Sequence, residues 1–485
     1  MSTPNATAPT SPVQRRRDGC SECRRKKVKC DLRKPVCSRC ARYPRGCIYT
    51  LSMNIVGPNA RPAVQPAIAG PAHLTNTLTN TSQGLDPAIG LSILANQPTL
   101  SPSPFLSSTE SKFFMHILAT QTAPVFFPAA PKLFVDRLIS AALDTPHLLS
   151  ALLASACSHH GRLVGDAQPS RTACLKFTNR AISGLSSALA ESDQMLRAET
   201  AMTAMTLCTN DVCNGNMHVW RMHLAGVKRL LTALVEQPSN ATDAFTVCLV
   251  KWFTTLDVLA GLSGSAGPSD HSLFVRFLTP TGEVDDICGY SLELVPVLTR
   301  IGQLARQSLH SEADSLDPQF LDPRSLEPYF FEAKSLESTL HALLTHPVPP
   351  RTTTTHGRAV AHELHHTHLA FVHCALLHLH RRVQHLPRTH PTVRADVLNI
   401  LAAIQNIRPF SQANILILWP VFSTGCETTD PTEREIIHTR MTNMRSLGMG
   451  NFTRARDMLE VFWREGSALP WDVYFGRRGE ELVLF

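Results

Sequence analysis

Residues 20–47 read CSECRRKKVKCDLRKPVCSRCARYPRGC. Cys20, Cys23, Cys30, Cys37, Cys40 and Cys47 are spaced C-x2-C-x6-C-x6-C-x2-C-x6-C, two near-copies of one C-x2-C-x6-C unit. The residues between them are mostly charged, so hydrophobic burial cannot hold this stretch together. Thiolates on zinc can, because in small modules the free energy of metal binding becomes free energy of folding. Zinc takes four ligands in a tetrahedron. Six cysteines are too few for two separate four-thiolate sites and too many for one. Two zinc ions that share two bridging thiolates use all six.

A disulfide framework is the rival use of six cysteines. Met1–Gln14 is polar, with no apolar segment of the kind that opens a secretory signal. In a reducing compartment, paired C-x2-C units point to metal. Charge adds a second constraint. The chain of 485 residues has a formal net charge of +7. Between Arg15 and Cys47 there are thirteen Lys/Arg against three acids, leaving the remainder at −3. A compact basic patch around a metal core is the footprint of a polyanion binder.

This spacing resembles the fungal binuclear zinc cluster family of transcription factors. The resemblance implies that Cys20 and Cys37 bridge two zinc ions, one held with Cys23 and Cys30 and the other with Cys40 and Cys47. It implies two short helices, one after each C-x2-C start, and a tight turn at Pro35. Ser21 is placed to cap the first helix. The family's base-reading lysines match Lys26 and Lys27, and short CGG-type triplets are the implied site, since lysine can donate to guanine O6 and N7. Arg15, Arg16, Arg17, Arg24, Arg25, Lys29, Arg33, Lys34, Arg39 and Arg42 are expected to position the module on phosphates of double-stranded DNA. Arg15–Arg17 and the 24–29 basic run also suit a nuclear import signal.

The expected organisation is a disordered tail at 1–14, a zinc cluster domain at 15–50, a disordered linker at 51–109 and a large all-α regulatory domain at 110–485. The linker is rich in Pro, Ser, Thr and Asn. It shows no sustained heptad repeat, and Pro58, Pro62 and Pro66 would break one, so monomer and dimer both stay open. Beyond it, apolar residues recur at spacings of three and four in blocks such as 113–118, 147–157, 198–208, 219–231, 245–262, 292–305, 358–386 and 454–463. HLAGVKRLL (223–231), LHLHRRVQHL (377–386) and LWPVFSTGCE (418–427) resemble the regulatory region that follows the cluster in one branch of these factors. That region implies contacts with transcription machinery or co-regulators. No uninterrupted apolar run of membrane-spanning length is found. The other eight cysteines and the five tryptophans read as core residues.

One pattern argues for an enzyme. His362, Glu363 and His366 satisfy H-E-x-x-H, in which two helical histidines hold zinc and the glutamate acts as general base. Leu369 stands where the extended form of that motif has glycine. No phosphate loop, dinucleotide fingerprint or nucleophile elbow is present. The expected function is therefore a nuclear, sequence-specific DNA-binding regulator of RNA polymerase II genes with no catalytic residue. The two alternatives are a zinc hydrolase at 362–366 and a zinc-module interaction scaffold.

Overall fold

The computed structural model describes residues 105–484, apart from short breaks and residues 264–273, 315–322 and 346–356. In the cysteine-rich stretch it describes Cys23, Lys26, Val28, Cys30, Asp31 and residues 37–40. The expected tail at 1–14, the turn at Pro35 and the linker up to residue 104 lie outside the described residues. The chain forms two compact units, Met1–Ile93 and Leu94–Phe485.

The larger unit is helical. Among its described residues the only strand-like pairing is an isolated antiparallel bridge between Val284 and Ser291. In chain order the helices are α1 (Thr109–Ile117), α2 (Ala123–Phe126), α3 (Lys132–Asp144), α4 (Pro146–Val164), α5 (Gln168–Ala190), α6 (Ser192–Met195), α7 (Ala198–Cys213), α8 (Trp220–Val235) and α9 (Ala244–Ser263). After them come α10 (Leu294–Asp314), α11 (Pro323–Thr345), α12 (Arg358–His378), α13 (Pro391–Gln405), α14 (Leu418–Glu427), α15 (Pro431–Met444), α16 (Gly450–Glu465) and α17 (Trp471–Arg477).

Their ends follow from local chemistry. Proline at the first helical position starts α4, α13 and α15, where its fixed φ fits and its missing N–H costs nothing. The Asp430 carboxylate caps α15 by accepting from the N–H groups of Thr432 (2.8 Å) and Glu433 (3.1 Å). Gly165 ends α4 at φ 69°, a left-handed position that glycine takes without strain. Arg440 reaches the far end of α13, donating to the carbonyls of Ile404 (2.8 Å) and Ile407 (2.9 Å), the former also accepting from the Ile407 N–H (3.0 Å).

The main apolar cluster of the core runs from Phe114 to Leu484. In its centre Tyr290, Phe371 and Trp419 form a ring column, with centroids 4.5 and 5.6 Å apart. Trp220, Trp419 and Trp471 are buried, while Trp252 and Trp463 are half-buried against the core. Six of the eight remaining cysteines (Cys157, Cys208, Cys213, Cys288, Cys374 and Cys426) are buried, and Cys174 and Cys248 are half-buried. Burial pushes the Cys208 and Cys213 thiols up to about 12, so both stay protonated. By length and composition alone α9 could cross a bilayer, but it packs within the core, with Leu249, Val250, Phe253 and Val258 fully buried.

One expectation needs correcting. The 358–386 block does not stay α-helical throughout. The α-helix ends at His378 and a wider π turn follows over Leu379–Val383. The Leu386 N–H then bonds the His380 carbonyl (2.9 Å) around His385, at φ 53°, and Pro387 prevents further helix. The turn points three basic side chains at three elements. His380 Nδ1 lies 2.6 Å from Asp396 on α13, Arg381 Nε donates to Glu427 on α14 (2.6 Å), and Arg382 Nε donates to Asp472 on α17 (2.8 Å).

Candidate zinc centre and nucleic-acid interface

The smaller unit shows how sequence spacing becomes a metal site. The Val28 N–H bonds the Cys23 carbonyl (3.0 Å), a six-to-one bond of the kind that closes a helix end. The Cys40 N–H bonds the Cys37 carbonyl (2.9 Å), curling the second C-x2-C into a turn. Cys23, Cys37 and Cys40 are 2, 0 and 5 % exposed in a segment with almost no apolar side chains.

The sulfurs converge as zinc requires. Sγ of Cys23, Cys37 and Cys40 lie within 4.8 Å of one another, and Cys30, Asp31 and Cys37 form a second such group. Cys23 Sγ and Cys37 Sγ are 3.7 Å apart. That is far beyond a disulfide bond. It matches the edge of a zinc–thiolate tetrahedron, about 3.8 Å for zinc–sulfur bonds of about 2.3 Å. Cys37 belongs to both groups. Cys23, Cys30, Cys37 and Cys40 thus fit a structural zinc site, in which the metal would supply the cross-links that an apolar core supplies elsewhere. Cys20 and Cys47 lie outside the described residues.

Asp31 plays a part that its sequence position alone did not reveal. Both its carboxylate oxygens accept from the Ser38 N–H (3.2 Å each), tying the end of the first unit to the start of the second. The available signal was an acid directly after the third cysteine in an otherwise basic run. Of the expected DNA contacts, Lys26 lies exposed in the turn before Val28, and Arg39 lies exposed between Cys37 and Cys40. Arg15, Arg16, Arg17, Arg24, Arg25, Lys27, Lys29, Arg33, Lys34 and Arg42 lie outside the described residues.

The H-E-x-x-H segment sits on α12 of the larger unit. His362 Nε2 and His366 Nε2 are 3.2 Å apart near the surface. Among the described residues they join no group of three ligands. Glu363 points the other way and is buried. Its carboxylate accepts from Arg408 Nε (2.7 Å), the Arg408 N–H (3.2 Å) and Ser411 Oγ (2.7 Å). Burial alone would raise the Glu363 pKa, but the bonds from Arg408 and Ser411 outweigh it and hold the carboxylate below its ordinary range. A carboxylate so occupied is a structural anchor rather than a poised general base. It forms part of the wall of an open cleft of about 630 Å³ beside Arg408, Phe410 and Leu416.

Two family matches bear on these features. Residues 18–54 match the fungal Zn(2)-Cys(6) binuclear cluster domain, and residues 112–485 match the fungal specific transcription factor domain. The second match covers most of the chain. The chain belongs to the fungal specific transcription factor domain family. A shorter match joins it to the lysine biosynthesis regulatory protein LYS14 of Saccharomyces cerevisiae, 56% identical over 36 residues. Those residues make up 7% of this chain and 5% of that relative. No solved structure matches the chain. The two matches place a zinc cluster domain of the fungal type before a helical domain of this family.

Proposed function

We propose that this chain is a nuclear, non-enzymatic regulator of RNA polymerase II genes that reads short CGG-type triplets in the major groove. In this reading two zinc ions are held by Cys20, Cys23, Cys30, Cys37, Cys40 and Cys47, with Cys20 and Cys37 bridging. The cluster domain spans 15–50, a linker spans 51–109, and the regulatory domain at 110–485 meets co-regulators. The observation that carries the reading is the convergence of four cysteines with Cys37 common to both groups, while Lys26 and Arg39 face solvent. Metal-held turns that present cations outward suit a duplex: lysines reach base edges and the arginines hold phosphates.

The test is selection of bound DNA from a random pool with the full chain, which reads motif, spacing and stoichiometry together. Enrichment of CGG triplets is expected; no enriched motif overturns the reading. On the selected site Lys27→Ala should weaken binding by about 1–3 kcal/mol with the zinc content unchanged. Replacing Arg15–Arg17 by alanine should shift a tagged chain out of the nucleus. Zinc retained by a chain lacking residues 1–60 would favour the hydrolase.

A further inference from the structure

His362 and His366 stand one turn apart on α12, on the side of the helix that reaches solvent. His362 is exposed and His366 half-buried. Their Nε2 atoms are 3.2 Å apart. The ring centroids are 4.5 Å apart, little further than the nitrogens. Rings aimed nose to nose would add the depth of both rings to that separation. These two lie side by side instead, with both Nε2 atoms at the same end. A point equidistant from the two nitrogens therefore lies in front of both. With metal–nitrogen bonds of about 2.0–2.1 Å, a gap of this size subtends about 100° at the metal, between the square and the tetrahedral angle.

The pair stands on a rigid support. Glu363, the residue after His362, turns into the protein and is anchored by Arg408 and Ser411. Leu364 packs with Ala129 and Val284, and the Ser291 N–H donates to His368 Nδ1 (3.3 Å). These contacts fix the opposite face of α12, so the two imidazoles need little further ordering to chelate. His366 Nδ1 is sealed from solvent and bonds nothing. A ligating histidine keeps its proton on that second nitrogen, and an acceptor there strengthens a site. Among the described residues no third ligand joins the pair. With neither, an ion would bind reversibly and water would fill its remaining positions.

We propose that His362 and His366 form a surface chelate for a divalent late transition metal. Paired imidazoles suit nickel, copper and zinc, and not magnesium or calcium. An ion there would staple the first turns of α12 beside the cleft wall of Val360, Glu363 and Leu364. The helical unit would thus have a metal site of its own, separate from the cysteines. It would lack hydrolytic chemistry, since Glu363 is buried and held by Arg408. The inference stands whether or not the triplet reading of the cluster holds.

The test titrates the full zinc-loaded chain with nickel chloride in a calorimeter, while elemental analysis follows the zinc. Nickel is used because, unlike copper(II), it does not oxidise thiols. The chain should take up nickel at a site that His362→Gln and His366→Gln each weaken at least about tenfold, with zinc content and helical circular dichroism unchanged. His116→Gln, which removes an exposed imidazole of α1, should leave that site intact. Nickel should also raise the melting temperature of the wild type and of His116→Gln but not of the other two variants. Magnesium should raise none of them. Unchanged nickel uptake in both pair variants overturns the proposal: the two histidines then only share a proton. Equal loss of uptake in His116→Gln, or nickel bound solely in exchange for zinc, also overturns it. A chain that holds no zinc at all fails the cluster reading and leaves this comparison of variants in force.

Discussion

Cys37 is the residue on which the small unit turns, since both ligand groups contain it. Its loss removes a corner from each. Cys37→Ser is expected to leave well under half the wild-type zinc, whereas Cys157→Ser, a buried thiol of the helical domain, leaves zinc unchanged; elemental analysis decides. The cysteines were legible in sequence because coordination is a spacing rule. Asp31 was not, because its bond to Ser38 depends on the path of the loop between them. Glu363 makes the converse point. The H-E-x-x-H pattern specifies spacing, but burial and Arg408 decide what the carboxylate does. Glu363→Ala should cost about 1–2 kcal/mol in denaturant unfolding without altering bound zinc.

Two glycines distinguish contact from open space at the level of helices. At Gly450, the first residue of α16, an added Cβ would run into the Cys213 carbonyl at the end of α7. Backbone cannot yield as a flexible side chain does. Gly450→Ala should therefore destabilise by about 2 kcal/mol or more. At Gly226 on α8 nothing lies within 4 Å, and Gly226→Ala should stabilise by up to about 1 kcal/mol through helix propensity. Thermal melts of the two variants read both signs. Helix content was legible because period and caps are local signals. The end of α12 was harder to see: the apolar pattern continues to Leu386, and only the left-handed His385 and the wider turn reveal the break. Nor does periodicity say that α5 and α8 flank α7, since both present similar amphipathic faces.

Across the whole molecule the buried histidines set the response to acid. Burial lowers His159, His368, His373 and His378 to about 4, and lowers His147 and His366 as well, while in the unfolded chain they titrate near 6.5. The unfolded form therefore takes up protons first, and stability falls as pH drops from about 6.5 towards 4, by about 1.4 kcal/mol per unit for each histidine. His380 opposes this. Burial lowers its pKa, but Asp396 and Glu337 more than restore it, so it ends above its ordinary value. Its contribution is present below about 6.5 and is lost as pH rises through the folded value. The lowered histidines outweigh His380, which gives a net loss on acidification, read as a falling melting temperature between pH 6.5 and 4. A histidine-rich stretch announces itself in sequence; which of its members are sealed from water does not, because that is settled by packing between distant helices. The π turn at Leu379–Val383 has the widest reach. Adjacent side chains of a helix point about 100° apart, and within this turn Arg381 and Arg382 meet carboxylates on separate helices, α14 and α17. A chain shortened by one residue there would keep most of its helix, yet the two arginines would be turned away from the carboxylates of α14 and α17 that they now hold.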